Sequence, residues 1–203
     1  VVVSVDYDTA PGARFPVAEE EAFDVAEWAR GAGRGWDGGR LAVGGLSAGA
    51  KLAVNVCQQA RDAGTPMPLG LISGYGAADL TLGPSQRTSP KKHPAVAPWL
   101  IKLMYRAYFA GADRGAPHAT PGLDDDLAAF PPSLVLTGDL DVMAAESERF
   151  ADLLAAAGVP VTRERFPGVD HGFTHDKPFD VAVRALDLMA DHLAEAFTAG
   201  VRP

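Results

Sequence analysis

A short apolar run that passes through a glycine-flanked serine into a helical pattern most constrains how this chain can fold. Residues 41–43 are apolar, residues 45–49 read Gly-Leu-Ser-Ala-Gly, and residues 50–54 favour a helix. A strand that turns this sharply into a helix needs small neighbours, and it leaves the serine hydroxyl exposed at the tip of the turn. The pattern predicts a nucleophile elbow with Ser47 at its tip. A plain glycine-rich turn is the alternative.

Short apolar runs alternate with helical stretches over most of the chain. Strands are predicted at residues 1–5, 41–43, 69–74, 133–137 and 159–166. Helices are predicted at residues 19–34, 50–61 and 143–157. A final helix carries an apolar stripe that is expected to pack in the core: Ala182, Leu186, Met189, Leu193 and Phe197. Strands that alternate with helices form a mainly parallel sheet flanked by helices. The sequence therefore predicts an α/β fold.

Residues 79–128 break this alternation, because they are rich in proline, glycine and aromatic residues. An insertion on the carboxyl side of the sheet is well placed to cover a site. We predict a core formed by residues 1–78 and 129–203, and a cap, or lid, formed by residues 79–128. A surface subdomain without a function is the alternative. The candidate residues for the substrate pocket are Leu46, Tyr75, Trp99, Tyr105, Val142 and Phe173.

Composition excludes some partners and suggests a compartment. The 203 residues carry a formal net charge of −8 and no dense basic run, so a nucleic-acid partner is not expected. No apolar run reaches the ~18 residues that span a bilayer, and no signal peptide is visible. The single Cys57 lies in an apolar helical stretch, which fits a buried thiol and a cytoplasmic location. The acidic run 124–126 is expected to be a solvated helix cap.

The residues that would activate Ser47 are expected in loops that follow later strands. A serine hydroxyl becomes a good nucleophile when a base removes its proton and an acid orients that base. In an open α/β sheet, reactive groups gather beyond the carboxyl ends of the strands. Asp139 and Asp141 follow the strand 133–137, and His171 follows the last strand. The order Ser, Asp, His is that of the α/β-hydrolase arrangement. We predict Ser47, Asp141 and His171 as the catalytic residues.

Two rivals remain for the base and the acid. His175 is the rival base, but Gly172 favours His171 because a glycine allows a tight loop to present the ring. Asp139 is the rival acid, and its other role would be to orient the loop. The spacing of the two histidines would also suit a metal, but no helix or Cys/Asp cluster accompanies them, so no metal site is predicted. The remaining histidines resemble loop or helix-surface residues: His93, His118 and His192.

Taken together, these motifs resemble the hormone-sensitive-lipase-like family of α/β-hydrolase esterases, which are bacterial carboxylesterases and lipases. The resemblance lies in residues 3–11 with Phe15-Pro16, in residues 45–49, in residues 127–141 and in residues 157–159 with His171-Gly172-Phe173. It supports Asp141 over Asp139, because the separation of Asp141 from His171 is similar to that in the family.

The resemblance implies a serine carboxylesterase that acts on short- to medium-chain esters through an acyl-enzyme on Ser47, with no cofactor. In this arrangement His171 is first base and then acid, Asp141 orients its imidazole, and the Ala48 N–H donates to the oxyanion. A homodimer through the last strand and helix is also implied. Two alternatives stay open: a non-catalytic small-molecule binder or receptor on the same fold, and a peptidase or acyltransferase on the same scaffold.

The chain departs from the family pattern in two places. Leu46 stands where the family has Asp, and the family's His-Gly-Gly-Gly loop, which supplies further oxyanion amides, is absent from the 203 residues. Without the strand that leads into this loop, the strands 1–5 and 41–43 would leave buried backbone groups unpaired, at about 1 to 3 kcal/mol each. We therefore expect this chain to be the C-terminal two-thirds of a longer protein, whose N-terminal segment completes the sheet and the oxyanion hole.

Overall fold

Helices and strands alternate in the computed structural model, which describes residues 1–199. The strands are β1 (Val43–Leu46), β2 (Leu71–Gly74), β3 (Ser133–Gly138) and β4 (Val161–Phe166). The helices are α1 (Val17–Arg30), α2 (Ala48–Ala63), α3 (Pro98–Tyr108), α4 (Ala144–Ala156) and α5 (Phe179–Ala199), with short 3-10 turns at Pro84–Gln86, Pro121–Leu123 and Phe173–His175. No helix in this described part is long and apolar enough to cross a membrane.

The four strands form one parallel sheet in the order β1-β2-β3-β4. Val43 pairs with Leu71, Leu71 pairs with Ser133, and Ser133 pairs with Val161, so the strands begin nearly level. Because all four run in the same direction, their carboxyl ends share one edge of the sheet. The turns that follow β1, β2, β3 and β4 therefore lie next to one another, and the predicted α/β fold with a parallel sheet is confirmed.

Both faces of the sheet are covered, and the burial of each strand follows its position. Every residue of β2 and β3 is buried, which fits their apolar residues at consecutive positions, 71–72 and 134–136. Strand β4 lies at one edge and carries exposed polar residues. Leu71 packs against α2 and α4, whereas its neighbour Ile72 packs against α5 on the other face. Cys57 is fully buried, and burial raises the pKa of its thiol.

The predicted strand at residues 1–5 is wrong. This segment has no regular secondary structure, and Val1 and Val2 are each 94% exposed. An apolar run becomes a buried strand only when a neighbour satisfies its backbone groups, and within the described chain β1 pairs with β2 alone. Residues 2–5 line a cavity of about 360 Å³ together with residues of α1, β1 and α2. The expectation that a further segment completes the sheet stays a prediction.

Three other expectations about single residues are also wrong. Leu186 is 52% exposed, because α5 turns its small residues Ala182, Ala185 and Ala196 toward the sheet instead. His192 is also buried in α5, whereas the sequence predicts it at the surface of a helix or loop. Asp124 is not a solvated helix cap: it is buried, and both of its carboxylate oxygens accept from Nη1 of Arg61, at 2.9 and 2.8 Å. A short-range pattern shows neither which face of a helix is covered nor which distant cation an acid meets.

The inserted residues 79–128 contain one helix, α3, and are tied to the rest of the chain by apolar and ionic contacts. Ile101 of α3 packs against Val142, just after the end of β3. Arg87 and Glu146 form a buried ion pair with an N···O distance of 2.8 Å, which joins the insertion to α4. The insertion therefore lies against the loop that carries Asp141. Its function as a cap stays a prediction.

Candidate active site

Ser47 occupies a strained turn between β1 and α2. Its backbone angles are φ 54° and ψ −117°, a conformation that side-chain-bearing residues rarely adopt. A Cβ at Gly45 would overlap the carbonyl group of Gly49 and lie 2.7 Å from the Ala50 nitrogen, so the strand and the helix can approach only because Gly45 lacks one. A Cβ at Gly49 would meet nothing within 4 Å. The predicted steric need for glycine is therefore right for Gly45 and wrong for Gly49.

Three side chains from three strand ends meet in one line of hydrogen bonds. The Ser47 hydroxyl oxygen lies 2.7 Å from Nε2 of His171. Nδ1 of the same imidazole lies 2.9 Å from an Asp141 carboxylate oxygen. The strands that deliver them are β1, β3 and β4, so the shared carboxyl edge of the sheet brings together residues that are distant in sequence. The three residues predicted from the sequence are the three that meet.

The Asp141 carboxylate is fixed at both oxygens. Its side chain is fully buried, and its second oxygen accepts the Met143 N–H at 2.9 Å. This leaves the first oxygen to accept from Nδ1 of His171. An imidazole that carries its proton on Nδ1 presents an unprotonated Nε2, which is the tautomer that can accept the hydroxyl proton of Ser47.

The two rivals have other partners. Asp139 accepts the Gly168 N–H at 2.8 Å, so its carboxylate orients the loop that leads from β4 to His171. His175 contacts the Thr174 hydroxyl at 2.9 Å. Within residues 1–199, no three His, Cys, Asp or Glu side chains are placed to hold a metal ion.

Comparison with known proteins agrees with this fold and this geometry. A family profile described as alpha/beta hydrolase fold matches residues 1–175. The chain belongs to this α/β-hydrolase family. Similar curated relatives are the esterase LipI of Mycobacterium tuberculosis, 33% identical over 177 residues, and an acetyl-hydrolase of Streptomyces hygroscopicus, 33% identical over 171 residues. They match 85% and 84% of this chain but only 55% and 56% of their own lengths, so this α/β-hydrolase chain spans about half the length of these relatives.

Solved structures of esterases share this fold. The esterase of the archaeon Pyrobaculum calidifontis superposes with a TM-score of 0.84 at 32% identity, over 99% of this chain and 67% of its own. A thermostable carboxylesterase cloned from a metagenomic library superposes with a TM-score of 0.84 at 31% identity, over 100% of this chain and 69% of its own. The family predicted from the sequence motifs is confirmed.

The loop that carries His171 in this α/β-hydrolase is held by Asp170. One oxygen of Asp170 accepts the His171 N–H at 2.7 Å, and the other accepts Lys91 Nζ at 2.9 Å and the Ala95 N–H at 2.8 Å. Burial alone would raise the pKa of Asp170, but these hydrogen bonds outweigh it and hold the pKa below its ordinary value. Sequence reasoning missed Asp170, although its position directly before His171 was a signal. The inserted segment is thus fastened to the loop of the histidine.

Ala48 is the first residue of α2, directly after Ser47. The N–H of a first helical residue has no acceptor within its own helix, and the N-terminus of a helix carries a partial positive charge. An oxyanion that forms on a carbonyl attached to Ser47 would therefore meet a suitably charged donor at Ala48.

The candidate pocket residues that are buried pack around the imidazole and the insertion. Tyr75 and Phe173 are 2% and 3% exposed, and their ring centroids lie 5.1 Å apart. Tyr75 also contacts the His171 ring, with a centroid distance of 5.1 Å. Val142 is buried against α3.

The other three candidate pocket residues lie in different environments. Leu46 is half-buried and its side chain lies over Gly74. Trp99 is 67% exposed on α3. The Tyr105 hydroxyl donates to the Leu82 carbonyl at 3.0 Å. The role of the six residues as pocket walls stays a prediction.

Proposed function

We propose that this α/β-hydrolase is a serine carboxylesterase that hydrolyses short- to medium-chain carboxylic esters. The observation that carries the proposal is the continuous line from the Ser47 hydroxyl through His171 to the buried Asp141 carboxylate, with distances of 2.7 and 2.9 Å. A small acyl group is supported by the Streptomyces relative, which is named an acetyl-hydrolase. The similar solved structures are also named esterases.

The acylation half of the reaction follows from these contacts. As the Ser47 oxygen attacks the ester carbonyl carbon, His171 Nε2 takes the hydroxyl proton, and Asp141 stabilises the imidazolium that results. The Ala48 N–H donates to the oxyanion of the tetrahedral intermediate. A donor of this kind contributes roughly 3 to 4 kcal/mol to the lowering of the barrier. When the intermediate collapses, the bond to the alcohol oxygen breaks and His171 returns its proton to the leaving alkoxide.

Deacylation reverses the roles of the same groups. His171 takes a proton from a water molecule as the water oxygen attacks the acyl-enzyme carbonyl, and the Ala48 N–H again faces the oxyanion. The bond between the acyl carbon and the Ser47 oxygen then breaks, and His171 protonates the serine oxygen. The carboxylic acid leaves, and the three side chains return to their starting protonation states.

Hydrolysis of p-nitrophenyl esters with two to twelve acyl carbons tests the proposal. We expect the fastest turnover with two to six carbons, as the name of the acetyl-hydrolase relative suggests, and loss of turnover in Ser47→Ala. Ser4→Ala, at an exposed serine in the N-terminal segment, is the matched control and should match the parent chain. Hydrolysis that survives Ser47→Ala would contradict the proposal. Tight binding of the ester without hydrolysis would favour the non-catalytic binder instead.

Assembly and location belong to the same proposal. An apolar patch on α5 is formed by Phe179, Val183 and Leu186, which are 64%, 56% and 52% exposed, and β4 is an open edge strand in the described sheet. Exposed apolar patches and open strand edges are typical of interfaces. We propose a homodimer through β4 and α5. We also propose a cytoplasmic location, in keeping with the single, buried Cys57, which has no second cysteine of this sequence to pair with. Sedimentation equilibrium of Leu186→Asp should give a monomer, and an unchanged mass would argue against this interface.

A further inference from the structure

Tyr75 is unusual because its backbone lies in the left-handed region although it carries a large side chain. Its φ is 40°, and glycines flank it on both sides at positions 74 and 76. A glycine would adopt this conformation freely, whereas a side-chain-bearing residue pays roughly 1 to 2 kcal/mol. Strain of this kind persists only where the surroundings enforce it, and it is concentrated at functional sites.

The main chain at Tyr75 is held between β3 and the elbow. The Tyr75 N–H donates to the Leu136 carbonyl at 2.7 Å, and the carbonyl of the preceding Gly74 accepts the Ser47 N–H at 2.9 Å. The residue that carries this strained backbone is therefore fixed to the turn of the nucleophile on one side and to a buried strand on the other.

The Tyr75 side chain contacts the loop that carries His171 at two residues, His171 and Thr174. Its ring and the His171 ring meet in an edge-to-face arrangement, at a centroid distance of 5.1 Å and an interplanar angle of 69°. Its hydroxyl lies 2.6 Å from the Thr174 hydroxyl. Burial raises the pKa of Tyr75, so the phenol remains protonated and can donate to Thr174. The Tyr75 side chain therefore contacts the imidazole and is hydrogen-bonded to Thr174, three residues further along the same loop.

We propose that Tyr75 is a positioning residue that holds the His171 imidazole in line between Ser47 and Asp141, with Thr174 as its hydroxyl partner. This rests on the proposed esterase function. The imidazole must accept a proton from one oxygen and deliver it to another while its Nδ1 stays hydrogen-bonded to Asp141. The Tyr75 ring packs against the imidazole and so limits the rotation of the His171 side chain.

Two substitutions separate the ring from the hydroxyl. Tyr75→Phe keeps the ring and loses the hydrogen bond, so kcat should fall by less than about fivefold. Tyr75→Leu keeps an apolar side chain and the same backbone demand but loses the ring, so kcat should fall by about 10- to 100-fold while KM changes little. The far-downfield proton NMR signal of the His171 N–H bound to Asp141 should persist in Tyr75→Phe and broaden or vanish in Tyr75→Leu.

Ser133→Ala is the matched control for the loss of a buried hydroxyl. Ser133 lies at the amino end of β3, at the opposite edge of the sheet from the candidate site, and its hydroxyl donates to the Pro131 carbonyl at 2.8 Å. This substitution should lower Tm without changing kcat or the NMR signal. A folded Tyr75→Leu that keeps both the kcat and the NMR signal of the parent chain would overturn the proposal.

A double-mutant cycle keeps the proposal testable if Tyr75→Leu does not fold. Both Tyr75→Phe and Thr174→Val remove the hydrogen bond between the two hydroxyls, and Thr174→Val also removes the contact with His175. The double variant should therefore be about as slow as Thr174→Val alone, and fully additive losses would overturn the pairing. Failure of the esterase function itself is recognised separately, because the NMR signal reports on His171 and Asp141 without any turnover. A parent chain that shows the signal but hydrolyses no ester would leave the positioning role standing and remove the esterase function.

Discussion

Gly45→Ala should lower both the thermal stability of the chain and its kcat, whereas Gly49→Ala should lower neither. A Cβ at Gly45 would overlap the Gly49 carbonyl and lie 2.7 Å from the Ala50 nitrogen, and real Cβ contacts stay above 3.0 Å. The atoms in the way belong to the backbone of α2, so the strand and the helix must separate by roughly 1 Å, a displacement that costs about 100-fold in rate when it reaches reacting groups.

The cost in stability can be set against a matched control. Overpacking of this kind costs about 1 to 3 kcal/mol, which for a chain of this size lowers Tm by about 2 to 12 °C. A Cβ at Gly49 would meet nothing within 4 Å, and alanine in a helix is favoured over glycine by as much as about 1 kcal/mol, so Gly49→Ala should leave Tm unchanged or raise it.

Thermal unfolding together with kcat for p-nitrophenyl acetate measures both effects. Gly45→Ala should lower Tm and kcat, and Gly49→Ala should retain the parent values. Equal losses in the two variants would show that both glycines of the motif are required sterically. An unchanged Gly45→Ala would show that the strand and the helix are not in close contact at the elbow.

Three further predictions concern buried groups away from the elbow. Removal of one partner of the buried Arg87–Glu146 pair, as in Arg87→Met, should lower the free energy of unfolding measured in urea by about 3 to 5 kcal/mol. The double variant Arg87→Met/Glu146→Leu should recover much of the lost stability, and an Arg87→Met variant as stable as the parent would contradict the prediction. Burial lowers the pKa of His192 below 6.5, so the unfolded chain binds the proton more tightly; stability should fall as the pH drops below about 6.5, and His192→Asn should lose this part of the pH dependence. Burial raises the pKa of the Cys57 thiol, so iodoacetamide should modify it in urea but not in the native state, and rapid native labelling would refute its burial.

The sequence predicts the parts of this structure that depend on local pattern and chain order. β2 and β3 are buried on both faces, so their apolar runs are unambiguous. The elbow needs a strand, a small residue and a helix in immediate succession, and all three are visible around Ser47. Because a parallel sheet places every strand end at one edge, the order of Ser47, Asp141 and His171 is sufficient to bring them together.

The sequence fails where an outcome depends on a partner that is distant or missing from the pattern. Residues 1–5 are apolar enough for a strand, yet a strand also needs a neighbour for its backbone groups. Periodicity marks α5 as a helix, but it does not show that small alanines face the sheet while Leu186 faces outward. The contact of Tyr75 with His171 joins two turns that are remote along the chain, so no local pattern contains it.

Covalent labelling with an organophosphonate tests the central claim most directly, because it requires an activated serine and no turnover. Intact mass of the chain after incubation should show one adduct, and peptide mapping should locate it on Ser47. Labelling should be absent in Ser47→Ala and much slower in His171→Gln, which lacks the base 2.7 Å from the hydroxyl. A folded chain that takes up no phosphonate, or that is labelled equally fast without His171, would contradict the account.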